Sequence, residues 1–197
     1  EDVMTARRVG GFAETLWDAG DRDRFLVSAC HGGDVEFGTV DAAIRVYRGL
    51  RDQGSPCTLW ACQGFQPDAF DRWHVTSADI HPGSFPALDG LIGAGSGKRG
   101  EFAAAVSFHG WRHDGVGVGG GAPRDVRQRV TDAVASVIPP DVPVERIDEG
   151  DYVGDSPENV VNWLTEDGAS GVQLEQSTQV RWRHGTAVAD AVADVLL

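Results

Sequence analysis

A short apolar run that leads directly into a glycine-rich turn and an amphipathic helix constrains the fold more than any other feature. Residues 24–30 (RFLVSAC) predict a buried strand, because strands covered on both faces are apolar at consecutive positions. Apolar residues recur at helical spacing over residues 40–50 and predict a helix. Strands that alternate with helices in this way imply a layered α/β fold, in which sites form at the carboxyl ends of strands.

The same alternation continues along the chain. Further strands are predicted at 57–61, 73–76, 102–108, 142–147 and 171–176, and further helices at 123–137, from Ser156 onward and at 186–197. No linker or repeat divides the sequence. We therefore expect a single domain over residues 1–197, in which helices flank a mixed central sheet.

The charge balance excludes several classes of partner. The 197 residues include 30 Asp and Glu against 17 Lys and Arg, which gives a net charge of −13. Nonspecific nucleic-acid binders and proteins of anionic membranes use clustered basic residues, so we expect neither nucleic acid nor a membrane surface as a partner. No apolar stretch approaches the roughly 18 residues that cross a membrane.

The acid excess also predicts adaptation to high salt, where carboxylates stay hydrated and their mutual repulsion is screened. A GC-rich genome accounts for Arg in place of Lys, but not for the excess of acids.

Cys30, Cys57 and Cys62 are expected to be buried thiols rather than disulfide partners. The first residues lack the pattern of a leader peptide, which favours a cytoplasmic location.

Reactive side chains follow three of the predicted strands. His31 and Glu36 follow the first strand, His109 ends the central one, and Glu175 lies in the last. Two imidazoles and a carboxylate suit Zn²⁺ and leave a fourth position for water, beside which Glu175 would serve as general base. The alternative interpretations are histidines hydrogen-bonded in turns, and a Glu175 that forms a structural ion pair with Arg181.

Five short motifs follow one another over residues 25–181. They are HGGDVEFGT at 31–39, WHVTS at 73–77, SFHG at 107–110, the glycine-rich 116–120, and NVVN at 159–162 followed by GVQLE at 171–175. Each motif is short, but in this order they resemble the elements of the phage and bacterial poly-γ-glutamate hydrolase family, a compact relative of the zinc carboxypeptidases.

The resemblance implies a carboxypeptidase-like fold and a zinc-dependent amide hydrolase. It implies that His31, Glu36 and His109 hold the zinc ion and that Glu175 is the catalytic base. It also places His74 near the site. The chain departs from the family pattern at Asp34, which touches none of the proposed ligands.

The implied substrate is a small peptide or a γ-glutamyl polymer, which is itself a polyanion that an acidic protein repels at low salt. Arginines near the motifs could offset this repulsion by binding carboxylates through two parallel hydrogen bonds. Arg112 and Arg181 are the first candidates, because Arg112 follows the SFHG motif and Arg181 follows GVQLE. Their alternative role is that of solvated helix or loop residues.

Two other functional classes stay open: a zinc amidase or peptidase on another peptide or cell-wall linkage, and a non-catalytic module with a metal or anion pocket. The glycines at 115–120 lack the preceding apolar strand of a dinucleotide site, and 93–99 lack the residues of a phosphate loop. No G-x-S-x-G elbow is present. Cys30 and His31 are adjacent, so alternation predicts that Cys30 faces the core.

Overall fold

The chain folds around one eight-stranded sheet. The computed structural model describes residues 3–18, 25–92, 100 and 102–196, with only the backbone for the first strand. In these residues the strands are β1 (Val3–Val9), β2 (Phe12–Asp18), β3 (Phe25–Gly33), β4 (Cys57–Gly64), β5 (Ala104–Gly110), β6 (Val116–Gly119), β7 (Val144–Arg146) and β8 (Gly171–Gln176).

The sheet is mixed, as predicted. Its strand order is β1-β2-β4-β3-β5-β8-β6-β7. The four central strands β4, β3, β5 and β8 run parallel, whereas β2 and β6 pair antiparallel with β4 and β8. Because the central strands are parallel, their carboxyl ends meet at one edge of the sheet.

Helices cover both faces of this sheet. They are α1 (Thr39–Asp52), α2 (Ala69–Trp73), α3 (Pro86–Ile92), α4 (Arg124–Val137), α5 (Val160–Trp163), α6 (Thr178–Arg183) and α7 (Gly185–Leu196), with a 3₁₀ turn at Pro82–Ser84. Buried residues of α1, α4 and α7 form one core with the sheet, and those of α3 and α5 form a second core on the opposite face. Of the helices in the described ranges, none is long and apolar enough to cross a membrane.

Most predicted elements are present, but two predictions are wrong. Residues 74–76 form a loop after α2 rather than a strand. The helix predicted from Ser156 begins instead at α5, where the Asn159 side chain accepts a hydrogen bond from the Val161 N–H. The hairpin of β1 and β2 was not predicted. The phosphate-loop-like residues 93–99 lie outside the described part of the chain.

The cysteine predictions are confirmed. Cys30, Cys57 and Cys62 are buried, and no disulfide joins them in the described residues. Cys57 and Cys62 lie in the two different cores, because five positions along a strand reverse the direction of the side chain.

One buried carboxylate joins the second core to the edge of the sheet. Glu14 of β2 is 2% exposed and accepts a hydrogen bond of 2.9 Å from the indole N–H of Trp60. It also accepts hydrogen bonds of 3.0 Å from the backbone N–H groups of Ala87 and Leu88, in the first turn of α3. The N–H groups of a first helical turn have no partner within the helix, so Glu14 satisfies donors that would otherwise be buried unpaired.

We predict that Glu14→Ala lowers the free energy of unfolding by about 3 kcal/mol, because it leaves three buried donors without an acceptor. Chemical denaturation of the purified variant measures this change. Glu145→Ala, which removes an exposed carboxylate from β7, is the matched control and should change stability little. Equal effects of the two substitutions would contradict the role assigned to Glu14.

Candidate metal centre

The carboxyl ends of β3, β5 and β8 bring the predicted site residues together. β5 pairs with both β3 and β8, and His109 lies directly opposite Glu175 in the ladder. His31 and Glu36 come from the end of β3 and the turn that follows it. These four side chains line one cavity of about 290 Å³, and all four are at most 5% exposed.

A bulge in β3 aims His31 into this cavity. The pairing of β3 with β4 shifts register between Ala29 and Gly32, which interrupts the strict alternation of side chains. Cys30 is buried in the second core as predicted, but its Sγ also lies 4.0 Å from His109 Nε2. The prediction that Cys30 faces the core is confirmed, but alternation does not separate it from His31, because ligand atoms of Cys30, His31 and His109 lie within 4.8 Å of one another.

Three ligand atoms converge in the cavity. His31 Nδ1 lies 3.2 Å from His109 Nδ1 and 3.4 Å from a carboxylate oxygen of Glu36. The second oxygen of Glu36 lies 3.9 Å from His109 Nδ1. Nitrogen and oxygen ligands at about 2.1 Å from a tetrahedral metal ion are about 3.4 Å apart, so these residues fit a single ion.

The far side of each imidazole is also engaged. His31 Nε2 lies 2.6 Å from the carbonyl oxygen of Val75, which can only accept a hydrogen bond. This contact places the proton on Nε2 and leaves Nδ1 with a lone pair directed at the cavity. His109 Nε2 lies 2.8 Å from the Ser107 hydroxyl, so both rings are held in place from behind.

The electrostatics of the cluster favour positive charge. Burial by itself lowers the pKa of His109, yet the charges of Cys30 and Glu175 raise the pKa to about 9. Burial opposes ionisation of Glu36, but hydrogen bonds from His31 and His74 hold the pKa of that carboxyl well below its ordinary value. A cavity that stabilises cationic histidines beside an ionised carboxylate also stabilises a metal cation.

The backbone after β3 holds Glu36 in position. The N–H of Glu36 donates to the carbonyl of His31 at 2.7 Å, and the N–H of Gly110 donates to a carboxylate oxygen of Glu36 at 2.8 Å. Gly38 then takes a φ of 89°, in the left-handed region that favours glycine, and α1 begins at the next residue. The turn between His31 and Gly38 is what brings both side chains to one point.

His74 lies at the cavity, as expected. Its ring stacks between those of His31 and Phe70, with centroid distances of 4.2 and 4.5 Å. Its Nε2 lies 3.5 Å from a Glu36 oxygen, and its side chain is 31% exposed. His74 therefore forms the wall between the buried cluster and the opening of the cavity.

Glu175 is held by Gln173 and Asn159, which lie in the GVQLE and NVVN motifs but were given no role from the sequence. Burial raises the pKa of Glu175 to about 7. The amide of Gln173 donates to a Glu175 oxygen at 2.8 Å, and the amide of Asn159 donates to Gln173 Oε1 at 2.8 Å. Asn162 donates to the carbonyls of Gly154 and Ser156, and these hydrogen bonds secure the loop on that side of the cavity.

The two predicted arginines lie in different environments. Arg112 is exposed and does not line the cavity. Arg181 is half-buried, and its guanidinium packs against Gly110. No ion pair within 4.0 Å joins Arg181 to Glu175, and the Nε and Nη1 atoms of Arg181 are buried without a hydrogen-bond partner in the described residues. Burial lowers the pKa of Arg181.

The groups that support the site differ in whether the sequence could have revealed them. The carbonyl of Val75 and the N–H of Gly110 are backbone atoms, so the residue type at those positions gives no indication of their role. Ser107 and Gln173 lie two residues before His109 and Glu175 on the same face of their strands, and this period of two could have identified them.

Comparison with known proteins decides the family. Residues 17–187 match the profile of the family described as poly-gamma-glutamate hydrolase. The chain belongs to the poly-γ-glutamate hydrolase family. It is therefore an amide hydrolase. The comparison with curated protein sequences gave no match.

Solved structures support the fold of this hydrolase. It matches a bacteriophage poly-gamma-glutamate hydrolase with 21% identity and a TM-score of 0.72, over 96% of this chain and 90% of that one. It matches the zinc-free form of YNDL with 20% identity and a TM-score of 0.69, over 94% and 89% of the two chains. It also matches a metallo-carboxypeptidase from Burkholderia cenocepacia with 12% identity and a TM-score of 0.52, over 98% of this chain and 63% of that one. The carboxypeptidase-like fold is thereby confirmed.

We predict that Gly120→Ala destabilises the hydrolase by about 2–3 kcal/mol, because Gly120 has a φ of 107° and the new methyl group collides with the backbone carbonyl of Gly171. Gly90→Ala is the matched control. Gly90 lies in α3 with open space around it, so alanine there should leave stability unchanged or raise it by about 0.5 kcal/mol. Thermal and denaturant unfolding compare the two variants. A Gly120→Ala protein as stable as the control would refute the close approach of the two backbone segments.

Proposed function

We propose that this hydrolase cleaves the γ-glutamyl amide bonds of poly-γ-glutamate with a zinc ion held by His31, Glu36 and His109. The observation that carries the proposal is that the Nδ1 atoms of His31 and His109 lie 3.2 Å apart and face the two oxygens of Glu36 at 3.4 and 3.9 Å. Nitrogen and carboxylate ligands in a tetrahedral set are typical of catalytic zinc. The family match supports the γ-glutamyl linkage.

Two other ligand sets compete, since ligand atoms of Cys30, His31 and His109, and those of His31, Glu36 and His74, lie within 4.8 Å of one another. The thiol is near Nε2 of His109, which already contacts Ser107, whereas the Nδ1 atoms of both buried histidines lie 3.4–3.9 Å from Glu36 oxygens. His74 is partly exposed, unlike His109. These differences favour Glu36 and His109 as the partners of His31 and assign Cys30 to the packing behind His109.

A zinc ion in this position would polarise the scissile carbonyl and acidify the attacking water. The residues around it carry out the proton transfers. Glu175 takes a proton from the water and delivers it to the leaving amine. Gln173 holds one oxygen of Glu175, so the carboxylate keeps a single orientation during both transfers.

Substrate carboxylates require cationic partners at the cavity. Arg181 supports this role, because its Nε and Nη1 donors are buried beside Gly110 and unused by the described residues. A guanidinium donor of this kind forms a charge-assisted hydrogen bond with a carboxylate. His74, partly exposed over Glu36, would contact the substrate at the opening of the cavity. Arg112, exposed outside the lining residues, stays a prediction of the sequence.

The test compares γ-linked and α-linked glutamate oligomers of equal length, with products separated by chromatography. We expect zinc-loaded enzyme to cleave the γ-linked oligomer at least tenfold faster. Preferential cleavage of the α-linked oligomer would instead indicate a zinc peptidase, and the proposed substrate would be wrong. A protein that binds zinc but cleaves neither oligomer would be a non-catalytic module.

The proposed roles predict a division between metal binding and turnover. His31→Ala and His109→Ala should each lose both the metal and the activity, whereas Glu175→Gln should retain about one equivalent of metal and lose about 1,000-fold in turnover. His81→Ala, at an exposed histidine outside the cavity, is the control. Elemental analysis and rate measurements separate these outcomes. A fully active Glu175→Gln enzyme would exclude Glu175 as the base.

Salt should raise activity on the polymer. The net charge is −13, and the exposed Asp151 and Asp155 line the opening of the cavity, so a polyanionic substrate is repelled at low ionic strength. Screening shortens this repulsion to about 3 Å at 1 M salt. We expect the KM for the polymer to fall as salt rises, while a short substrate with blocked carboxyl groups responds little. A KM that rises steadily with salt contradicts the prediction.

A further inference from the structure

A second cleft lies beside the candidate metal centre. It has a volume of about 400 Å³ and lies between the start of α1, helix α6 and the first turn of α7. Arg181 joins the two sites, because it lines this cleft while its guanidinium packs on Gly110, which lines the metal-site cavity. Phe37, the residue after Glu36, lines the cleft on the α1 side.

Two aromatic rings are exposed together at this cleft. Phe37 is 56% exposed and Trp182 is 75% exposed, and their ring centroids are 6.0 Å apart. Large apolar side chains that pair on a surface while both remain open to water mark an interaction site. The rings present flat apolar faces on which methylene groups can pack.

Arg181 is the cationic side chain of this cleft that lies next to the metal-site cavity. Its Nη2 donates to Thr178 Oγ1 at 3.1 Å, and its Nε and Nη1 have no hydrogen-bond partner in the described residues. A guanidinium that makes a single hydrogen bond favours a ligand that carries a carboxylate.

The charges around the cleft balance. Asp41 and Arg45 also line it, and Arg45 forms an ion pair of 2.6 Å with Asp190. A carboxylate of a ligand is therefore favoured only where it lies directly beside Arg181.

We propose that this cleft is a subsite for γ-glutamyl units beyond the scissile bond. The inference rests on the proposed function. Each γ-linked glutamate carries two main-chain methylenes and one free carboxylate. Arg181 binds the carboxylate of the unit next to the scissile bond, and Phe37 and Trp182 pack against the methylenes of the units that follow. A second copy of this chain is a poorer occupant, because two molecules of net charge −13 repel each other.

The experiment compares a long γ-linked polymer with a γ-linked dimer, using wild type, Phe37→Ala, Trp182→Ala and the double variant. We expect the double variant to raise KM for the polymer roughly tenfold more than KM for the dimer, since aromatic packing residues dominate such contacts. Val137→Ala removes an exposed apolar side chain from the end of α4 and is the matched control. Equal KM changes on both substrates, or none, would overturn the subsite.

Two further measurements separate the other outcomes. If the wild type cleaves neither substrate, the proposed function fails, and calorimetry with the polymer then tests the cleft alone. In a Glu175→Gln background, weaker polymer binding after Trp182→Ala supports the subsite, and unchanged binding refutes it.

Light scattering tests for self-association. A wild-type dimer that Trp182→Ala converts to monomer would assign the aromatic pair to a protein interface and overturn the inference.

Discussion

The parallel pairing of β3, β5 and β8 is the constraint on which the site depends. Parallel strands end at the same edge, so the residues that follow β3 and those that end β5 and β8 must meet there. Two imidazole nitrogens and a carboxylate are thereby forced together in a buried space. The nearby charges of Cys30 and Glu175 raise the pKa of His109, and hydrogen bonds from His31 and His74 lower the pKa of Glu36.

The polar groups around this cluster divide into satisfied and unsatisfied sets. Val75, Ser107 and Gln173 hold the reactive side chains through hydrogen bonds of 2.6–2.8 Å. Arg181 and Gln176 instead keep buried atoms that have no partner among the described residues. The first set limits the motion of the site residues, and Arg181, which lines the second cleft, is the group proposed to bind substrate carboxylates.

The acidic composition opposes the proposed polyanionic substrate. In that proposal the exposed Asp151 and Asp155 at the cavity opening repel the polymer, while the half-buried Arg181 attracts its carboxylates at short range. Because exposed charges are screened by salt and buried ones much less, added salt removes the repulsion before it weakens the attraction. An acidic surface and a carboxylate-binding site are therefore compatible at high ionic strength.

The sequence by itself determined the βα order, the strands β3 and β8 and the helices α1, α4 and α7, because apolar periodicity reflects burial directly. It also predicted His31, Glu36, His109 and Glu175 as site residues, since their residue types suit a metal and a base at strand ends, and the structure places the four in one cavity. The loop at 74–76 and the late start of α5 escaped prediction, because short segments there are decided by packing. Only the tertiary structure decided the bulge that turns His31 and Cys30 to one side, the backbone groups that orient the ligands, and the unpaired donors of Arg181. These depend on contacts between residues far apart in the chain, which no local pattern encodes.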